Sequence, residues 1–160
     1  MLQFLAGEIA DCEYVVLCCH GGLGHTIDLR VIEQKDSDYD TPDGWEVVTF
    51  SLTPENIPDY VRGKGRVLIC GACSAGTETL AQAFFTAGYK AYIASGAAVY
   101  GLAGILFEIG FFYHLMSVTR IDQALTNCTE QEAVMLAARM DAKDPRGTLP
   151  FRYFSPNQEK

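Results

Sequence analysis

Basic residues are scarce in this 160-residue chain: 12 Lys and Arg stand against 20 Asp and Glu, a formal net charge of −8. The first 80 residues hold 5 basic against 13 acidic side chains and the rest 7 against 7, so the whole excess lies in the first half. With no basic patch, binding of nucleic acid by phosphate neutralisation is not expected. The N-terminus lacks a basic n-region and carries Glu8 and Asp11, which argues against a secretory signal. Six cysteines are too few and too irregular for a disulfide framework, and the adjacent Cys18 and Cys19 are poor partners for each other. Free thiols in a reducing, cytoplasmic protein are the expectation.

Charge is missing altogether over residues 91–107, a run long enough to raise a membrane-spanning reading. Ser95-Gly96 breaks that run and Glu108 follows it, so a buried strand and a buried helix explain it without placing a carboxylate in lipid. With 49% hydrophobic and 20% charged residues the chain is neither disordered nor coiled coil. At this length one domain over 1–160 can bury roughly 70% of its unfolded surface without metal or disulfide. No internal repeat or linker is visible.

Hydrophobic periodicity divides the chain into alternating strands and helices. Leu2–Ala10 reads as a short helix. Tyr14–Cys19 is a continuous apolar run ending at His20-Gly21-Gly22, the pattern of a strand buried on both faces. Thr26–Glu33 and Trp45–Leu52 alternate as two antiparallel arms around an acidic loop. Thr53-Pro54-Glu55 opens a short helix that Gly63-Lys64-Gly65 ends. Arg66–Gly71 and Lys90–Ala94 are further buried strands, with a helix over Thr77–Ala87 between them. Gly101–Ser117 is a long apolar helix, Thr129-Glu-Gln-Glu132 has a capping-box pattern opening a helix to about Ala142, and Thr148–Phe154 is a last strand. Such alternation implies an α/β protein with a mainly parallel sheet flanked by helices on both faces.

Ligands bind at the carboxyl ends of such strands. His20 closes one of these ends and Cys73, 53 residues later, another. Small residues surround both, letting a substrate backbone approach and leaving N–H groups to face an oxyanion. Cys73 also precedes a helix, whose N-terminus favours a thiolate.

On these residues the chain resembles the caspase-like fold of cysteine peptidases, the clan of caspases, separase and clostripain, and within it the CHAT domain branch. The similarity runs through Val15–Gly21 with its His-Gly motif, Leu52–Val61, Arg66–Gly76, Leu80–Gly88, Ala91–Ser95 and Phe111–Leu115, in the family order over about residues 14–117. The resemblance implies a three-layer caspase-like fold and a cysteine endopeptidase that needs no cofactor or metal and acts on a peptide or protein substrate. Cys73 would be the nucleophile, His20 the general acid and base, and the backbone N–H groups of Gly21 and Cys73 the oxyanion hole. Gly71, Ser95 and Gly96 fall where substrate would bind. No third carboxylate is required, and none is evident in the sequence.

The chain also departs from the family. It begins at the helix before the His-Gly strand, so the fold would be N-terminally shortened by at least one strand. Gly71 stands where metacaspase-like relatives carry the Asp that reads a basic side chain, and Gly96–Tyr100 replaces the Trp and acidic residue usual after Ala-Ser in CHAT domains. A shortened fold favours the alternative of a catalytically inactive module that binds a partner or completes a larger assembly. The uncovered sheet edge and the all-round apolar Gly101–Met116 predict self-association or a partner subunit.

Other chemistries are weaker. Cys70-Gly-Ala-Cys73 has the spacing of a redox dithiol. A zinc site from Cys19, His20, His25 and Cys73 lacks a paired Cys-x₂-Cys pattern. The acidic stretch Asp36–Asp43 has Thr41 and Val47 where a calcium loop needs Gly and Glu, so it reads as a solvated loop. Cys12, Cys18, Cys19, Cys70 and Cys128 read as small buried hydrophobes, and His25 and His114 as structural.

Overall fold

The structure, a computed structural model, describes residues 11–22, 26–34, 45–99, 101–116, 118–121, 124–127, 131, 133–134, 137 and 151–156. In chain order its elements are β1 (Tyr14–Leu17), β2 (His20–Gly22), β3 (Thr26–Gln34), β4 (Trp45–Leu52), α1 (Ile57–Tyr60), β5 (Val67–Cys70), α2 (Glu78–Thr86), β6 (Ala91–Ser95), α3 (Gly101–Met116), β7 (Val118–Ile121), β8 (Ala124–Asn127) and β9 (Phe151–Phe154). The main sheet has the order β1-β5-β6-β9, parallel except for β9, which runs antiparallel to β6. β2, β3 and β4 form a separate antiparallel sheet, and β7 pairs with β8. The fold is thus mixed α/β with a mostly parallel main sheet.

Strand alternation divides the side chains of the main sheet between two cores. Leu68 and Cys70 of β5 join Val15, Leu17, Tyr92 and Ala94, packed against Ile57 of α1 and Leu80, Ala81 and Phe84 of α2. Val67 and Ile69 join Ala91 and Ile93, packed against Phe107 and Phe111 of α3 and against Ala133, Val134 and Ala137. All four residues of β5 are buried, which explains its unbroken apolar sequence. Each large side chain so buried contributes roughly 1.5–3 kcal/mol by area.

The α2 helix follows its sequence signals closely. The Thr77 hydroxyl accepts the Leu80 N–H at 3.3 Å as the N-cap. Gly88, at φ +93°, ends the helix: its N–H bonds Phe85 O and the Tyr89 N–H bonds Phe84 O, with the Tyr89 ring edge-on to Phe84.

Elsewhere the structure corrects the sequence reading. The apolar run from Tyr14 ends its pairing at Leu17; His20 opens β2, in the second sheet, rather than closing β1. β1 is also not buried on both faces, because Val16 is 37% exposed, and Cys18 beyond it is exposed rather than a buried hydrophobe. The helix after Thr53 is only the four residues of α1, since Thr53 and Asn56 first close a side-chain-bonded turn. The β7–β8 hairpin has no counterpart in the sequence reading. The predicted helix 2–10, the acidic stretch 36–43, His25 and Cys128 lie outside the described residues; of the helix from Thr129, residues 131, 133, 134 and 137 are described and are helical. No helix among the described residues is long and apolar enough to cross a membrane.

Candidate active site

The two candidate residues sit on segments that meet main chain to main chain. A methyl group on Gly21 would lie 1.8 Å from the carbonyl oxygen of Cys73 and 3.0 Å from its nitrogen. Only glycine permits this approach, so the strand that His20 opens is pressed against the Cys73 peptide unit. The turn carrying Cys73 is clamped from the β6 side. Ser74 N–H bonds Ala97 O at 3.0 Å, Gly76 N–H bonds Ser95 O at 2.6 Å, and Tyr92 Oη donates to Ala75 O at 2.9 Å. Ser74 is held at φ +56°, a left-handed conformation rare for a side-chain-bearing residue, directly after the candidate nucleophile.

The Cys73 thiol faces the Val99 main chain. It donates to Val99 O at 3.4 Å and accepts the Val99 N–H at 3.3 Å. The N–H reaching the sulfur therefore belongs to Val99, while the first turn of α2 starts only beyond the Thr77 cap. Val99 in turn lines a cavity of about 440 Å³ together with His20, Cys18, Asp28, Gly71 and Glu108. His20 is exposed at the mouth of its strand.

Of the remaining candidates, Gly71 lines this cavity, with Glu108 Oε1 3.2 Å from where a Gly71 Cβ would stand. Ser95 is fully buried and its hydroxyl bonds Ala97 O at 2.8 Å, bracing the turn that receives Ser74. Gly96 packs on the Arg152 guanidinium, 3.0 Å from its would-be Cβ.

Two carboxylates escaped the sequence reading. Asp28 is the direct cross-strand partner of His20 in the β2–β3 pair, on the same face and in the same cavity. Its Oδ1 accepts the Ser51 hydroxyl at 2.7 Å and the Thr26 hydroxyl at 3.2 Å, which fixes the carboxylate. A carboxylate therefore stands on the strand beside the histidine, where none was evident in the sequence; the alternation Thr26-Ile27-Asp28-Leu29 signals its face but not its register.

Glu108, on α3, accepts the Cys18 thiol at 3.7 Å. Burial raises the Glu108 carboxyl above its ordinary value of 4.5, offset in part by that thiol. Burial and the facing carboxylate raise Cys18 in turn. A carboxyl raised in the folded state favours folding below its unfolded value and loses that contribution as pH rises through the folded one. Glu108→Gln is accordingly expected to raise the melting temperature at pH 7.5, with the gain shrinking toward zero below pH 4.5; a gain equal at both pH values would contradict this.

Among the described residues, no three His, Cys, Asp or Glu side chains are grouped to hold a metal ion. No protein-family model matches the chain, and no curated protein matches it.

Proposed function

We propose that the protein is a cysteine endopeptidase of caspase-like, CHAT-like three-layer fold, working in a reducing cytoplasmic setting with His20 and Cys73 as its dyad. The observation that carries this reading is the main-chain contact of Gly21 with Cys73, which holds the histidine segment against the thiol segment. In this reading the Cys73 thiol exchanges its Val99 contacts for His20. His20 then takes the thiol proton and the sulfur attacks the scissile carbonyl carbon. In this reading the Gly21 and Cys73 N–H groups hold the resulting oxyanion. Collapse breaks the C–N bond as His20 protonates the leaving amine. Water, deprotonated by His20, then attacks the acyl-enzyme, and the C–S bond breaks. In this reading Asp28 sets the polarity beside His20 from the neighbouring strand, and the cavity bounded by Gly71 and Glu108 receives a substrate side chain.

The reading is tested with peptides bearing an electrophilic warhead. Intact mass should rise by one probe, and peptide mapping should place it on Cys73. A probe mapped to Cys18, with Cys73 unmodified, would overturn the assignment.

The second reading, a catalytically inactive module completing a larger assembly, draws on α3. Leu106, Ile109, Tyr113 and Met116 are 48–76% exposed along one stripe, although Phe107 and Phe111 on the opposite face are fully buried. An uncharged stripe of this kind marks an interaction surface. Light scattering at tens of micromolar should show an associated species that Ile109→Lys returns to monomer; a monomeric wild-type chain would remove the reason for this reading.

A further inference from the structure

The Cys70-x-x-Cys73 spacing suggests a dithiol, yet the fold separates those two thiols by role. Cys70 is the last residue of β5 and points into the core shared with Tyr92 and Ala94, whereas the Cys73 thiol turns to Val99. The sulfur facing Cys70 is that of Cys19, 4.0 Å away and 51 positions distant in sequence. Cys19 lies in the two-residue connector between β1 and β2, and β1 pairs with β5 through Leu17 and Cys70. A disulfide needs the sulfurs at about 2.05 Å, an approach of about 2 Å that falls to a connector rather than to a paired strand.

We propose that Cys19 and Cys70 form an oxidisable thiol pair, a modification site at which a small-molecule disulfide of the glutathione class closes an intramolecular disulfide. Cys19 is half-buried and lines the cavity beside His20, whereas Cys70 is fully buried, which sets the order of events. Cys19, having lost its proton, attacks one sulfur of the reagent. A mixed disulfide forms and one glutathione leaves as a thiolate that takes up that proton. The Cys70 sulfur then attacks the Cys19 sulfur, forming the Cys19–Cys70 bond and releasing the second glutathione with the second proton. Two protein thiols are oxidised by two electrons and one disulfide is reduced to two thiols. The hydrogen bond to Cys70 and burial hold the Cys19 thiol above the ordinary range, which slows the exchange at neutral pH and makes it faster as pH rises. This site stands independently of the peptidase reading. The new bond would tie the residue before His20 to the strand that leads to Cys73.

The test uses the full chain in glutathione disulfide at pH 8, followed by alkylation of free thiols, digestion without reduction and mass spectrometry. Cys19 and Cys70 should appear as one linked species, retained in Cys18→Ser and Cys73→Ser and absent in Cys19→Ser. Cys70→Ser should instead trap glutathione on Cys19, and Cys70→Ala provides the same trap where a buried serine hinders folding. A Cys70–Cys73 link, or glutathione confined to Cys18 with Cys19 and Cys70 both alkylated, would overturn the proposal.

Discussion

Exchanging Cys73 for alanine is expected to abolish both labelling by an electrophilic peptide and any hydrolysis of an unreactive one, with folding unchanged by circular dichroism. Exchanging His20 for alanine should lower the rates by roughly 10²–10⁴, the range for losing a positioned acid–base group. Iodoacetamide offers a sharper comparison, because the exposed Cys18 competes with Cys73 for it. Cys18 is the more exposed, which favours it on access alone. Its sulfur, however, faces the Glu108 carboxylate, and burial together with that negative charge keeps it protonated. Cys73 instead meets the Val99 main chain, accepting its N–H at 3.3 Å and donating to its carbonyl at 3.4 Å, and lies beside the histidine segment. Limiting reagent at pH 7 should therefore reach Cys73 first, and His20→Ala should remove that preference. If Cys18 is alkylated first and His20→Ala changes nothing, the thiol at position 73 has no activated partner and the non-catalytic reading takes precedence.

Gly21→Ala is expected to be strongly destabilising. The new Cβ would stand 1.8 Å from a main-chain oxygen and 2.8 Å from its carbon, and a peptide group cannot turn aside as a flexible side chain can. The clash is relieved only by moving β2 away from the Cys73 turn. That turn is itself fixed through Ser74 to Ala97 and through Gly76 to Ser95. Overpacking of this kind costs about 1–3 kcal/mol and occasionally more. The gap it opens should also reduce Cys73 labelling to the level of His20→Ala. Gly104→Ala serves as the control, since its Cβ would meet only Val99 Cγ1 at an ordinary 3.8 Å within α3. There, alanine should stabilise by about 0.5–1 kcal/mol through its better helix propensity. Urea denaturation of the two variants checks both signs. A Gly21→Ala protein as stable as the wild type would mean that β2 does not rest on Cys73.

Sequence alone determined the parts of this protein whose signals are local. The unbroken apolar run Val67–Cys70 meant a strand buried on both faces, and it is one, because neighbouring strands and packed helices cover both sides. Thr77 and Gly88 bounded α2, because a side-chain acceptor at one end and a left-handed residue at the other are properties of single positions. The alternation of Thr26–Gln34 and Trp45–Leu52 marked two arms, which pair from Ile27↔Leu52 to Gln34↔Trp45. His20 and Cys73 were legible as candidates from residue type and flanking glycines. Tertiary structure decided what depends on register and on contacts far apart in sequence. The run at Tyr14 looked like the one at Val67, yet its pairing stops at Leu17 and its Val16 face is left partly open, because no local pattern states how many neighbours a strand will have. Asp28 became the partner of His20 only through the β2–β3 register, since a shift of one residue would have turned it to the opposite face. Val99 reached the Cys73 sulfur across 26 positions and Cys19 reached Cys70 across 51, where packing of the strand ends, and not the spacing between cysteines, chose the pairs.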